Sequence, residues 1–210
     1  EDKFVPEIPQ EYFVELIKNS DVKQLPLAEN ETVDEFLTFI TPIVFDKDLY
    51  ATRRSGNDDI IRNSATNFYK GDLSKEEVEQ FYDAQREPKD LTPISYGLNS
   101  QLVKENGKIY ENVYKSGGLY GEVIDQIIFW LEKANLVAEN DTQRNYTQLL
   151  IDYYKTGDLN LWDDYNVAWV QDSVSMIDYV NGFIEDYGDP MGMKATWEAV
   201  VNFKDLEATK

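Results

Sequence analysis

The chain has 210 residues, 42% of them hydrophobic and 13% aromatic, which is enough apolar material for one sizeable core or two small ones. Forty Asp and Glu against 20 Lys and Arg give a formal charge of -20, which repels nucleic-acid phosphates and anionic lipid and attracts cations such as peptide N-termini, although a solvated acidic surface accounts for most such charge. With no Cys and no His, disulfides, thiolate catalysis, histidine-based triads and the usual zinc ligand sets are excluded.

In chain order, Pro9 to Lys18 places Phe13, Leu16 and Ile17 on one helical face, with Pro9 tolerable in the first turn. Thr32-Val33-Asp34-Glu35 has the spacing of a capping box and leads into Phe36, Phe39 and Ile40, with Pro42 expected to stop the helix. Ser74-Lys75-Glu76-Glu77 repeats the signature ahead of Val78, Phe81 and Tyr82. Asn106-Gly107 lies between two alternating segments, Leu98 to Leu102 and Ile109 to Val113, and predicts a β-hairpin. After Gly117-Gly118, Val123, Ile127, Leu131 and Ala134 recur at helical spacing, widened by Ile124 and Ile128. A further helix carries Tyr146, Leu149, Leu150, Tyr153 and Tyr154 and ends at Gly157. With no repeat and no Gly/Ser tether, the expectation is one α+β domain over 1–210, mostly helical with a hairpin and a few short strands. The sequons at Asn30, Asn140 and Asn145 carry no functional weight in so Asn-rich a chain.

No apolar run approaches the roughly 20 residues of a membrane span. Glu1-Asp2-Lys3 shows neither an initiator Met nor a signal-peptide pattern, so the chain reads as cut from something longer, or processed. Cytosol and periplasm both stay open, the cytosol preferred.

The chemically dense stretch runs from Trp169 to Phe203. Asp189-Pro190-Met191-Gly192 has type I turn chemistry, so its flanks are expected to face each other. If they are strands, Glu185 and Tyr187 share a face, and pairing outward from the turn puts Glu198 on the diagonal from Glu185. Two carboxylates flanking one ammonium hold it by charge and by hydrogen bonds, which is the recognition a peptide N-terminus needs. The stretch from Lys194 to Phe203 is also compatible with a helix. On the plainer alternative, Phe183, Ile184, Trp197, Val200 and Val201 are core and the acids face water. Paired acids also equip glycosidases, and a calcium site is the least supported alternative because no EF-hand loop is present.

Trp169-Val-Gln-Asp172 and Gly182-Phe-Ile-Glu-Asp-Tyr-Gly-Asp-Pro-Met-Gly192 together resemble the signature of the dipeptidyl peptidase III family. Ser95-Tyr-Gly-Leu-Asn-Ser100, Gly117-Gly-Leu-Tyr120 and Val200-Val-Asn-Phe-Lys-Asp205 resemble its Bacteroides-type members, and the likeness covers essentially the whole chain. The resemblance implies a two-lobed zinc exopeptidase that removes dipeptides from the N-termini of short peptides, this chain belonging to the lobe without the zinc. It implies that Glu185 and Glu198 anchor the substrate amine. It also implies that Tyr187 contacts the substrate backbone as a catalytic residue assisting the transition state, and that Trp169 lines the cleft.

The departures are as informative. The family's His-Glu-x-x-Gly-His and Glu-Glu-x-x-Ala-Glu motifs are absent, so no zinc ligand is expected in this chain, which alone is expected to be inactive, and the zinc lobe is expected beyond Lys210. Met191-Gly192-Met193-Lys194 replaces a segment that commonly contains arginine, which implies a shifted side-chain preference at the cleft. Expected partners are short peptides and the missing lobe, with no nucleic acid and no membrane; a non-enzymatic acidic module that binds peptides or proteins is the alternative.

Overall fold

The computed structural model describes residues 3–47, 49, 59–62 and 66–208, leaving Glu1 and Asp2 outside. The chain falls into two compact units, 1–65 and 66–210, where the sequence reading groups all 210 residues as one domain.

In the first unit, α1 (Gln10–Lys18) and α2 (Val33–Phe45) flank a 3-10 turn at Val22–Gln24. The α2 capping box forms as expected, Thr32 accepting from the Glu35 N–H and Glu35 accepting from the Thr32 N–H. Pro42 does not stop the helix. It stands in the last turn, where the ladder runs one more step to the Asp46 N–H on the Pro42 carbonyl at 2.9 Å. The Phe13 and Phe45 rings meet edge to face at 5.5 Å, tying α1 to the end of α2.

The second unit holds β1 (Tyr69–Lys70), α3 (Lys75–Asp83), β2 (Ser100–Glu105), β3 (Lys108–Val113), α4 (Gly121–Leu136), α5 (Asp141–Thr156), α6 (Leu159–Val170), β4 (Ile177–Glu185) and β5 (Thr196–Phe203). Six helices and two small sheets among the described residues make an α+β architecture, as the sequence leads one to expect. None of the described helices is long and apolar enough to cross a membrane.

The β2–β3 hairpin turns on Asn106 (φ 51°) and Gly107 (φ 76°), the two left-handed residues that a type I′ turn needs. That tight turn pairs Glu105 with Lys108 and moves β2 towards its end, to Ser100–Glu105, instead of the expected Leu98 to Leu102. β1 adds to β2 in parallel, Tyr69 opposite Leu102, through a strand too short to show a period.

Loops of a few residues join α4, α5 and α6, so each packs beside the next. The α5 face is the predicted one, with Tyr146, Leu150, Tyr153 and Tyr154 fully buried and Gly157 (φ 75°) as its left-handed cap. On α4 the buried stripe is Ile124, Ile128 and Leu131, whereas Val123, expected inside, is exposed. The sequence reading missed α6, whose buried residues Leu159, Trp162, Tyr165 and Ala168 recur every three residues among weak helix formers such as Asn160 and Asn166.

Trp162 of α6 fixes the ribbon that follows. Its ring sits against Tyr153 and Tyr165 at 5.1 and 5.2 Å and fills the space a side chain at Gly182 needs: a Cβ there would lie 2.4 Å from the indole. Gly182→Ala is therefore expected to cost about 1–3 kcal/mol by overpacking, because the ring is wedged between two tyrosines. Urea unfolding of the variant checks this; unchanged stability would mean that the ring is free to shift.

Candidate functional site

The stretch from Lys194 to Phe203 contributes a strand, not a helix: β4 and β5 pair antiparallel from Ile177 opposite Phe203 up to Glu185 opposite Thr196. Asp189 to Gly192 forms the expected turn, closed by the Gly192 N–H on the Asp189 carbonyl at 3.0 Å. The plainer burial pattern holds only in part. Phe183 is buried, but Val200 and Val201 are exposed and Trp197 stays 43% exposed even though its indole N–H reaches the Tyr154 hydroxyl at 2.7 Å.

Glu185 lies opposite Thr196, which puts Glu198 two residues along the partner strand, on the predicted diagonal. A β-bulge between Phe183 and Glu185 was not legible in the sequence and adjusts this arrangement. It sets Glu198 opposite Gly182, where regular pairing continued from Glu185 would have set it opposite Phe183. Gly182 brings no side chain of its own to that pair, and the Trp162 indole fills the space against it.

The Glu185 and Glu198 carboxyl groups come within hydrogen-bonding reach of each other whenever one of them carries a proton. Glu185 is accordingly held above the ordinary carboxylate range, first by partial desolvation, then by the charge of Glu198 and the hydrogen bond to it, with Asp186 adding. Both side chains are half-buried, so the pair is open to a ligand. Two acids at one point, one of them reluctant to ionise, form a receptor for a cation.

The other two predicted residues are placed differently. β4 ends at Glu185, so Tyr187 lies in the turn and the period-of-two argument for a face shared with Glu185 does not apply. Tyr187 is 56% exposed and its hydroxyl has no hydrogen-bond partner among the described residues. Trp169 stands in the last turn of α6, packs partly against the core and donates its indole N–H to Asp178 at 2.9 Å. Asp178 and Gly182 alternate to the same side of β4, four residues or roughly 13 Å apart, so Trp169 is on the Glu198 side but further along the ribbon.

Behind the turn lies a buried network that the sequence reading missed. Asp189 is fully buried, and its Oδ2 accepts the N–H groups of Met193 and Lys194 at 2.8 and 2.9 Å and the Tyr69 hydroxyl at 3.0 Å. Lys194 is also fully buried; its Nζ donates to the Tyr82 hydroxyl (2.6 Å), the Ser100 hydroxyl (3.0 Å) and the carbonyls of Ser100 (3.1 Å) and Gly97 (3.2 Å). Glu111 Oε1 closes the cluster, accepting from Tyr82 at 2.8 Å and Ser100 at 2.5 Å. Gly97 (φ 86°) is required there, because a Cβ would meet the Tyr82 hydroxyl at 2.7 Å. Burial pulls the Lys194 ammonium down to about 8, against the opposing charges of Glu111 and Asp189.

The zinc implied by the resemblance finds no fitting residues here. The chain has no His and no Cys, and among the described residues no group of three or more acidic side chains is arranged to hold a metal ion.

Comparison with known proteins agrees with the motif reading. Residues 95–210 match the model of Peptidase family M49. Dipeptidyl peptidase 3 of Dictyostelium discoideum is 24% identical over 230 residues, covering 99% of this chain and 30% of that protein. Dipeptidyl peptidase 3 of Homo sapiens is 25% identical over 229 residues, covering 95% and 30%. The solved structure of DPP III from Caldithrix abyssi shares the fold with a TM-score of 0.55 at 22% identity, over 95% of this chain and 35% of that one. That of dipeptidyl-peptidase III from Corallococcus sp. strain EGB gives 0.53 at 18% identity, over 95% and 34%. The chain thus spans 30% of the length of both curated relatives.

Proposed function

The chain belongs to peptidase family M49, and we propose that it is the substrate-binding portion of a dipeptidyl peptidase III, holding a peptide by its free N-terminus. The observation that carries this reading is the contact between Glu185 and Glu198 across the β4–β5 ribbon. An ammonium group brings three donors and one positive charge; arriving between the two carboxyl groups, it pairs with both. An enzyme that removes two residues at a time has to fix one end of its substrate, and a cation receptor fixes the amine.

In this reading the exposed Tyr187, on the turn just beyond Glu185, points its free hydroxyl at a peptide carbonyl, and Trp169 forms a wall further along the ribbon. The hydrolytic centre and its zinc belong to the larger share of the family's proteins that these 210 residues do not cover, so the chain alone binds peptide without cutting it. Half of the cleft supplies half of the contacts, and the affinity is correspondingly weak.

The test is calorimetric binding of tetraalanine and N-acetyl-tetraalanine to the 210-residue chain, between pH 4 and 9. Acetylation removes the charge and is expected to abolish binding. The pH profile follows from the direction in which Glu185 is shifted. Its proton competes with the ammonium, so affinity rises as pH climbs through a value above the ordinary carboxylate range, and falls again where the peptide amine deprotonates, at about 8. Equal binding of the two peptides, or a profile flat from pH 4 to 7, would defeat the amine-anchor reading.

A further inference from the structure

The network around Lys194 is larger than a turn of four residues needs. It joins α3 through Tyr82, β1 through Tyr69, β2 through Ser100, β3 through Glu111 and the β4–β5 turn through Asp189. All of these converge on the stretch 193–195, which immediately precedes Thr196, the residue paired with Glu185. The backbone is held there as well: the Met193 and Lys194 N–H groups go to Asp189, and the Ala195 N–H goes to the Leu98 carbonyl at 2.9 Å. A hydrophobic side chain at 194 would fill the space without making any of the four Nζ contacts. A buried cation costs free energy unless its partners are well placed, so its presence calls for a reason beyond filling.

We propose that Lys194 is a positioning residue for the acidic pair: its buried ammonium clamps the start of β5 to α3 and the β2–β3 hairpin, and so holds Glu198 beside Glu185. Lys194 touches neither glutamate. It acts through the strand, four residues from Glu198, by fixing where β5 begins. The contact between the two carboxyl groups is a property of the unliganded chain; only the consequence for peptide binding rests on the amine-anchor reading.

Between pH 7 and 10 the ammonium titrates while the two phenols that face it do not. Burial raises Tyr69 and Tyr82 well above the ordinary phenol value, with Asp189 and Glu111 respectively adding, so both phenols stay neutral. The Lys194 ammonium, brought down to about 8, loses its proton inside that window.

The experiment is site-resolved NMR of the 210-residue chain. Across pH 7 to 10 in the unsubstituted protein, the amides of Thr196, Trp197 and Glu198 are expected to shift with the same midpoint as the Lys194 side chain. In Lys194→Met, the Glu185 carboxyl is expected to titrate lower than in the unsubstituted chain as the influence of Glu198 is lost, and tetraalanine to bind about tenfold more weakly, the loss of one charge-assisted contact. A titrating Lys194 that leaves those three amides still overturns the proposal, as does a folded Lys194→Met that keeps the raised Glu185 titration. If Lys194→Met does not fold, the unsubstituted chain's titration decides alone. Equal binding of free and acetylated tetraalanine, with the coupled Glu185 titration intact, removes the amine anchor and leaves the positioning of the pair standing.

Discussion

Replacing Glu185 with Gln is expected to weaken binding of tetraalanine by about ten- to a hundredfold, the usual worth of a hydrogen bond to a charged group. Binding of the N-acetylated peptide, which lacks the ammonium, should stay at its low level. Glutamine keeps the shape and one acceptor of the acid, so the loss reports charge rather than packing. Glu198→Gln should behave alike, because the two carboxyl groups meet at one point. The double variant should lose less than the sum of the two, the sign that both act on one ligand group. Glu198→Gln should also lower the Glu185 titration towards the ordinary carboxylate range by removing the neighbouring charge. Calorimetry with the two peptides at pH 7 measures the first effect; an unchanged affinity for tetraalanine in either variant would dissociate that residue from the amine.

How much of this was legible in the sequence depended on how local each determinant is. Both capping boxes, the Asn106-Gly107 hairpin and the Gly157 cap were legible because their residues act on their own backbone within four positions. The diagonal from Glu185 to Glu198 was legible for a similar reason: a tight turn at Asp189 counts the pairing outward for a few residues before irregularity intervenes. The bulge at Ile184 was not, because no residue near it carries a local signal for one. α6 itself was hidden by a three-residue apolar spacing and several polar residues of weak helix propensity.

Long-range burial was the least legible element. Nothing near Lys194 in the chain distinguishes it from the lysines that stay in water; what buries it are Tyr82 and Ser100, 112 and 94 positions away. The sequence did register Asp189, but as a turn residue, and gave no sign that its carboxylate also anchors the Tyr69 hydroxyl. The one available signal was chemical: Lys194 is a cation that follows a turn carrying Asp186 and Asp189.

The second large effect concerns that residue and is one of stability. Lys194→Met removes an ammonium that burial already disfavours, and relief of that desolvation alone would stabilise the fold. Against it stand the groups left behind. The Gly97 and Ser100 carbonyls lose a buried donor, and Asp189 and Glu111 lose the cation that offsets them. Breaking a buried ionic cluster by taking away one partner costs about 3–5 kcal/mol as a rule, so the orphaned acceptors are expected to win and the variant to be less stable by roughly that amount. Removing a negative partner as well should return part of the loss: Lys194→Met with Glu111→Gln is expected to be more stable than Lys194→Met alone, since the introduced amide keeps an acceptor for the Tyr82 and Ser100 hydroxyls without an uncompensated charge. Urea unfolding of the four proteins of this cycle measures both quantities. A Lys194→Met variant as stable as the parent would show that the ammonium's desolvation cancels all four of its contacts, and that the cluster holds the start of β5 through Asp189 alone.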